Sequence, residues 1–207
     1  MARPLEAVST KPRVDRGFVV SGARTASPPR WFAPFKWLVY ALLASNVVLY
    51  GWHGTANEQL DTAAWVVLLL LFEWETGGWP ISHRQRLLAH GLRALASAVV
   101  VWACISYGLQ GEWLDFGNAF TWLAVVVALE LEVRVGPHWR RFHRARRAFT
   151  GLLYVALAGF LLAWLAMSAS GGGAAAWLDA WDAALWLIAF LVIELNVFGL
   201  ARRPQAG

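Results

Sequence analysis

Six apolar stretches, each close to the length that crosses a lipid bilayer, constrain this chain more than any other feature of its sequence. They cover residues 37–52, 62–76, 94–110, 118–135, 149–168 and 182–200. A helix needs about 20 apolar residues to span the hydrocarbon core. Backbone polar groups must be satisfied inside lipid, and the alternating pattern of barrel strands is absent. The sequence therefore predicts an all-α integral membrane protein, a six-transmembrane-helix bundle.

The composition supports a membrane location, and the charge pattern predicts the orientation. Hydrophobic residues make up 58% of the chain and the mean hydropathy is +0.48, well above values typical of soluble domains. All 18 Lys and Arg fall in the N-terminal tail, in segments 77–93 and 134–147, or in the C-terminal tail. The other three connections carry only acids, namely Glu58, Asp61, Glu112, Asp115, Asp179 and Asp182. By the positive-inside rule both termini are cytoplasmic, and we expect a multi-pass protein of a bacterial plasma membrane.

The chain divides into a membrane domain and two tails. Residues 1–35 are basic and interrupted by five prolines, which predicts a disordered cytoplasmic tail. The membrane domain covers 36–201, in hairpins of about 36–79, 90–136 and 148–201, and 202–207 form a short C-terminal tail. The formal charge of +5 is explained by basic segments held against anionic lipids, so no nucleic-acid partner is expected.

One gap-free pattern recurs in the second, fourth and sixth apolar stretches. Its copies are Asp61-x3-Trp65-x7-Glu73-x-Glu75, Asn118-x3-Trp122-x7-Glu130-x-Glu132 and Asp182-x3-Trp186-x7-Glu194-x-Asn196. The odd-numbered stretches align more weakly, through an aromatic residue at Tyr50, Trp102 and Trp164. All three hairpins enter the membrane from the same side, which predicts parallel repeats around a pseudo-threefold axis along the membrane normal.

The recurring acids are the candidate functional residues. Glu73, Glu130 and Glu194 each lie 12 residues beyond the Asp or Asn that opens the pattern, roughly 18 Å along a helix. Intramembrane acids normally face the bundle interior, water or a partner. We therefore expect these three to form an ion or proton site. The residues two positions further on are turned by about 200° and form a second polar set that faces the connections: Glu75, Glu132 and Asn196. Arg134 follows Glu130 by one turn and is its expected ion-pair partner.

Two functions remain open on the sequence alone. The first is a small cation or proton channel or transporter that uses the three glutamates. The alternative is a non-transporting accessory or scaffold subunit whose acids pair with the basic segments and whose partners are lipids, other membrane proteins or a second copy. No enzyme motif is found, no cofactor is predicted, and the sequence leaves a metal site undecided. The two functions differ in where the acids point, either into a polar cavity or onto loop arginines.

Overall fold

The structure is a computed structural model that describes residues 31–76, 82–134 and 140–194. Within these ranges the chain forms six α-helices, α1 (Phe32–His53), α2 (Ala56–Thr76), α3 (His83–Gln110), α4 (Trp113–Arg134), α5 (Arg140–Ala169) and α6 (Gly173–Glu194). Asn196 and most of both predicted tails lie outside the described residues. The side chains of Glu132, Arg134 and Glu194 also lie outside the described part of the molecule.

Five of the six helices are long and apolar enough to cross a membrane, all except α2. The 21 residues of α2 include four acids, Glu58, Asp61, Glu73 and Glu75, which lower its hydropathy. The chain is thus a multi-pass, membrane-type helical protein. The prediction of six helices is confirmed. By length and composition, five of the six described helices are candidate membrane spans.

The helices form a closed ring in chain order. Within the described residues, close backbone packing joins α1 to α2, α2 to α3, and so on to α6, and α6 packs back against α1. Three very short connections, residues 54–55, 111–112 and 170–172, lie at one end of the bundle, which we call the turn end. Connections this short force the paired helices to run antiparallel. Each of the pairs α1–α2, α3–α4 and α5–α6 is therefore a hairpin.

Local sequence explains where the hairpins turn. Gly111 adopts the left-handed conformation, with φ of 80°, that ends α3, and its N–H donates to Gly108 and Tyr107 carbonyls. At the start of α2, the Glu58 amide donates to Thr55 Oγ1 at 3.3 Å, and the Thr55 amide donates to the Glu58 carboxylate at 2.5 Å. This reciprocal pair is a capping box, which satisfies two amides that the first helical turn leaves unbonded. The turn end is thus built from strong helix stop and start signals.

Buried side chains of the odd-numbered helices fill the interior of the ring. Leu43 on α1, Val100 on α3 and Leu157 on α5 are 0%, 1% and 2% exposed, and each follows the previous one by 57 residues. The largest buried cluster joins Leu43 and Leu157 to Val125 and to residues of α2 and α6. This cluster closes the centre of the bundle with side chains. The described part of the chain therefore has a solid apolar layer at mid-depth.

Two expectations about the connections are wrong. The acids assigned to outer connections are helical, apart from Glu112, because α2, α4 and α6 begin earlier than their apolar stretches. The basic segment is helical from Arg140 onward, where a loop was expected. A hydropathy threshold places a helix end at the first charged residue, whereas the backbone continues to its capping signal.

Candidate functional site

Three tryptophans meet in the centre of the bundle. The ring centroids of Trp65 and Trp122 are 6.4 Å apart, and those of Trp65 and Trp186, and of Trp122 and Trp186, are 6.2 Å apart. Each ring comes from a different even-numbered helix, and the rings are tilted or edge-to-face, as aromatic pairs prefer. The structure assigns them to packing around the centre of the ring, and we call them the tryptophan triad.

An acidic cavity of about 40 Å³ lies between the tryptophan triad and the turn end. A second space of about 30 Å³ adjoins it and reaches down to the triad. Both spaces share Asp61, Thr62, Asn118 and Asp182. The acidic cavity is also lined by Tyr50, Glu58, Tyr107, Asp115, Trp164 and Asp179. A water needs roughly 10–15 Å³ of such volume, so a few water-sized groups fit in each space.

Helical spacing explains why polar residues collect here. Asp61, Asn118 and Asp182 each precede a triad tryptophan by four residues, and residues four apart lie on the same face of a helix. The helix face that carries each tryptophan toward the centre of the bundle therefore also carries an Asp or Asn toward the centre. This residue lies one helical turn closer to the turn end. The polar level is thus a direct result of the recurring pattern.

Neutral donors hold two of the carboxylates. The Asn46 amide on α1 donates to Asp182 Oδ1 at 2.7 Å, and the Tyr50 hydroxyl, one turn further along α1, donates to Asp179 Oδ1 at 3.0 Å. Asn46 is fully buried, so its donation does not compete with water. Hydrogen bonds to a charged acceptor stabilise it by roughly 1.5–3 kcal/mol. These donors fix carboxylate positions without supplying positive charge.

Asp61 retains a carboxylate oxygen with no donor. Within the described ranges, Oδ1 of Asp61 is buried and accepts no hydrogen bond, while the Trp65 and Tyr107 side chains interact with the carboxylate. Leaving a buried acceptor unsatisfied is costly, and more so for a charged group. Of the described residues that line the acidic cavity, five are acids and none is basic. The cavity thus offers a free acceptor and an excess of negative charge that only protons or a cation can balance.

The arrangement does not resemble a preformed metal site. In the described portions of the chain, no group of three or more His, Cys, Asp and Glu side chains is placed to hold one metal ion. The acids are spread around the cavity wall instead of converging on a point, so water or a monovalent cation suits the cavity better than a tightly coordinated metal.

The glutamates predicted from the sequence lie toward the other end of the bundle. Glu73 pairs with Lys36 on α1, and the Tyr40 hydroxyl lies 3.4 Å from its second carboxylate oxygen. Glu75 pairs with Arg93 on α3 at 2.6 Å. Glu75 thus contacts an arginine that lies inside α3.

The remaining members of the two predicted sets are only partly described. Glu130 is exposed on α4, and its side chain takes part in an interaction. The side chains of Glu132, Arg134 and Glu194 and the whole of Asn196 lie outside the described residues. Whether Glu73, Glu130 and Glu194 act together therefore remains a prediction. Around Glu73 itself the structure provides a lysine partner.

Sequence reasoning missed the acidic cavity although its residues had been aligned. Asp61 and Asp182 were assigned to connections and Asn118 to the start of an apolar stretch, so their place one turn above each tryptophan was not used. The aromatic of the third stretch was also misassigned, because Trp102 is 64% exposed whereas Tyr107 is 4% exposed and lines the cavity. The spacing of 57 residues, which links Tyr50, Tyr107 and Trp164, is the signal that would have found it.

Comparisons with known proteins add no relative. No family model matches this chain, and neither a curated protein nor a solved structure does.

Proposed function

We propose that this chain is a small multi-pass membrane protein that takes up protons or small monovalent cations in the acidic cavity, as a channel or transporter. The observation that carries the proposal is the buried, unpaired Oδ1 of Asp61 in a cavity with five acids and no described base. Acids inside membrane helices are costly and usually mark ion or proton pathways. The proposal moves the cation site from Glu73, Glu130 and Glu194 to the level of Asp61.

The orientation follows from the positive-inside rule. The Lys and Arg residues of the described helices lie away from the turn end, for example Lys36, Arg84 and Arg134, so we propose that the turn end faces outward from a bacterial plasma membrane. A cation would then enter from outside and meet the acids first. The tryptophan triad and the apolar layer below it block the way onward in this conformation, so transport requires the triad to move.

The recurring pattern gives the proposal a geometric basis. Tyr50, Tyr107 and Trp164 line the cavity at a spacing of 57 residues. Trp65, Trp122 and Trp186 contact one another below it. We propose that three duplicated hairpins surround a pseudo-threefold axis and that the cavity lies on it. A site on such an axis receives a polar residue from every copy, which concentrates charge without requiring long loops.

A second candidate function is supported by the ion pairs at the other end. The Lys36–Glu73 and Arg93–Glu75 contacts link α1 to α2 and α2 to α3. Such links are what a non-transporting accessory or scaffold protein needs from its acids. Under this alternative the cavity holds structural water, and the partners are lipids, another membrane protein or a second copy of the chain.

Flux through purified protein in liposomes separates the two candidates. Proton flux would be followed with an entrapped pH-sensitive dye, and K⁺ and Na⁺ flux with tracer ions. We expect Asp61→Asn and Asp182→Asn to reduce flux by about tenfold or more, because each removes a cavity charge. Glu75→Gln, which changes an acid of the same helix in a surface ion pair, should leave flux unchanged.

The outcomes are distinct. No flux from monodisperse wild-type protein would favour the scaffold function. Flux that survives both cavity substitutions but is lost in Glu73→Gln, Glu130→Gln or Glu194→Gln would return the site to the glutamates predicted from the sequence.

A further inference from the structure

We infer that the cation held in the acidic cavity is a small ammonium ion with N–H donors, such as ammonium or methylammonium, in preference to a metal ion. This inference rests on the proposed function and names the class of cation that the same site would select.

The carboxylate oxygens of the acidic cavity favour a cation that carries hydrogen-bond donors. Asp61 offers a buried oxygen that no described donor reaches. Across the cavity, Asp182 and Asp179 are held by the Asn46 amide and the Tyr50 hydroxyl. An N–H donor forms a directional, charge-assisted hydrogen bond with such an oxygen, whereas K⁺ and Na⁺ gain nothing from direction. An ammonium ion can therefore satisfy this orphaned acceptor of Asp61 and use its other hydrogens on the fixed carboxylates.

Aromatic side chains line both spaces of the cavity. The lower space ends on Trp65, Trp122 and Trp186, whose rings lie next to Asp61 and Asp182 in its lining. Tyr50 and Tyr107 add aromatic rings to the upper space. Aromatic faces attract cations, and ammonium groups surrounded by aromatic rings are the best-known use of this attraction in recognition. Carboxylate oxygens and aromatic side chains thus line the same small space.

The number of ligands and the size of the two spaces exclude divalent metal ions and bulky ammonium ions. Ca²⁺ takes six to eight oxygen ligands and Mg²⁺ an octahedral set, and no described group of three or more acids and histidines converges for either ion. The two spaces, of about 40 and 30 Å³, accept groups the size of one to three waters. Ammonium and methylammonium fit this limit. Tetramethylammonium is larger and has no N–H, so the cavity should reject it.

Direct binding tests the inference. Purified protein in detergent would be incubated with ¹⁴C-methylammonium in a scintillation proximity assay, and unlabelled chloride salts of ammonium, K⁺, Na⁺, Ca²⁺ and tetramethylammonium would compete at constant ionic strength. We expect ammonium to displace the label at a concentration about tenfold or more below that of K⁺ or Na⁺, because only ammonium donates hydrogen bonds. Tetramethylammonium and Ca²⁺ should displace little.

Variants connect the binding to the cavity. Asp61→Asn should raise the half-saturating methylammonium concentration about tenfold or more, since it removes the charged acceptor. Trp65→Leu should weaken binding several-fold, whereas Trp65→Phe, which keeps an aromatic face, should restore most of it. Glu75→Gln is the matched control. Size-exclusion profiles and melting temperatures would show that each variant is folded.

Three results would overturn the inference. Equal displacement by K⁺ or Na⁺ would mean a general monovalent site, and the proposed function would survive without the ammonium preference. Unchanged binding in a folded Asp61→Asn variant would place the ammonium site elsewhere. Absence of methylammonium binding, together with absence of proton, K⁺ and Na⁺ flux, would remove both the inference and the proposed function.

Discussion

The pair between Lys36 and Glu73 provides the sharpest test of whether a recurring glutamate is structural or functional. It joins α1 to α2, and the two side chains are only 18% and 20% exposed. The Tyr40 hydroxyl lies near the same carboxylate, and Lys36 Nζ lies 5.6 Å from the centre of the Trp37 ring. The perturbation is a double-mutant cycle that combines Glu73→Gln and Lys36→Met.

The expected coupling free energy follows from this setting. Interhelical polar pairs in membrane proteins couple by about 0.6 kcal/mol on average and by up to about 1.7 kcal/mol. Both groups here are charged and about four-fifths buried. We therefore expect a coupling of about 1–1.7 kcal/mol, at the upper end of that range. Each single variant should be less stable than the wild type, because it leaves the other charge without this partner, and the double variant should recover part of the loss.

The assay is reversible unfolding by sodium dodecyl sulfate in mixed micelles, followed by circular dichroism, with liposome flux measured on the same variants. A coupling free energy below about 0.3 kcal/mol would mean that the two sites are independent and would refute the reasoning. Loss of flux in Glu73→Gln with unchanged stability would instead make Glu73 part of the transport path. Glu75→Gln is the control, since its partner Arg93 is more exposed, at 40%.

Three further predictions follow from the described contacts. Asn46→Ala should destabilise the protein by about 1.5–3 kcal/mol in the same unfolding assay, because Asp182 loses its buried donor, whereas unchanged stability would mean that water replaces the amide. Leu43→Ala should lower the free energy of unfolding by about 2 kcal/mol, because it leaves a cavity in the core. This value is at the low end of the range for soluble proteins, because lipid offsets the loss of apolar transfer free energy. Val48→Ala, at an exposed, lipid-facing position, should lower the stability far less. In a topology assay on intact cells, Ser170→Cys should react with an impermeant thiol reagent and Arg84→Cys should not. The opposite labelling pattern would reverse the orientation.

The number of helices and the turn positions could be predicted because they depend on local signals. Long apolar stretches require helices in lipid, and Gly111 lies where a hairpin was expected to turn. Helix starts were placed too late because acids were taken as signs of a connection. The Thr55–Glu58 capping box shows why, since the same acid that lowers hydropathy also begins a helix.

The candidate site was harder to predict because it depends on contacts between distant parts of the chain. Lys36 and Glu73 are 37 residues apart, and the sequence of α2 gives no sign that Glu73 pairs with a lysine of α1. Asp61 and Asp182 line the same cavity because α2 and α6 both pack against α1. Asp61 lies five residues after the start of α2 and Asp182 nine residues after the start of α6, so α6 begins four residues earlier relative to the recurring pattern. Spacing along the chain shows which residues occupy equivalent positions in the pattern, whereas the packing of the helices determines which of them come into contact.

The contact between α6 and α1 closes the ring without any chain connection between the two helices. It is a joint of the same kind as those between α2 and α3 and between α4 and α5, where one hairpin packs against the next. Side-chain packing alone holds α6 against α1. By the same reasoning, the chain connections between α2 and α3 and between α4 and α5 are needed to synthesise the hairpins as one chain but not to hold them together. A gene divided between α2 and α3, with both fragments inserted in one membrane, should therefore yield a reassembled protein.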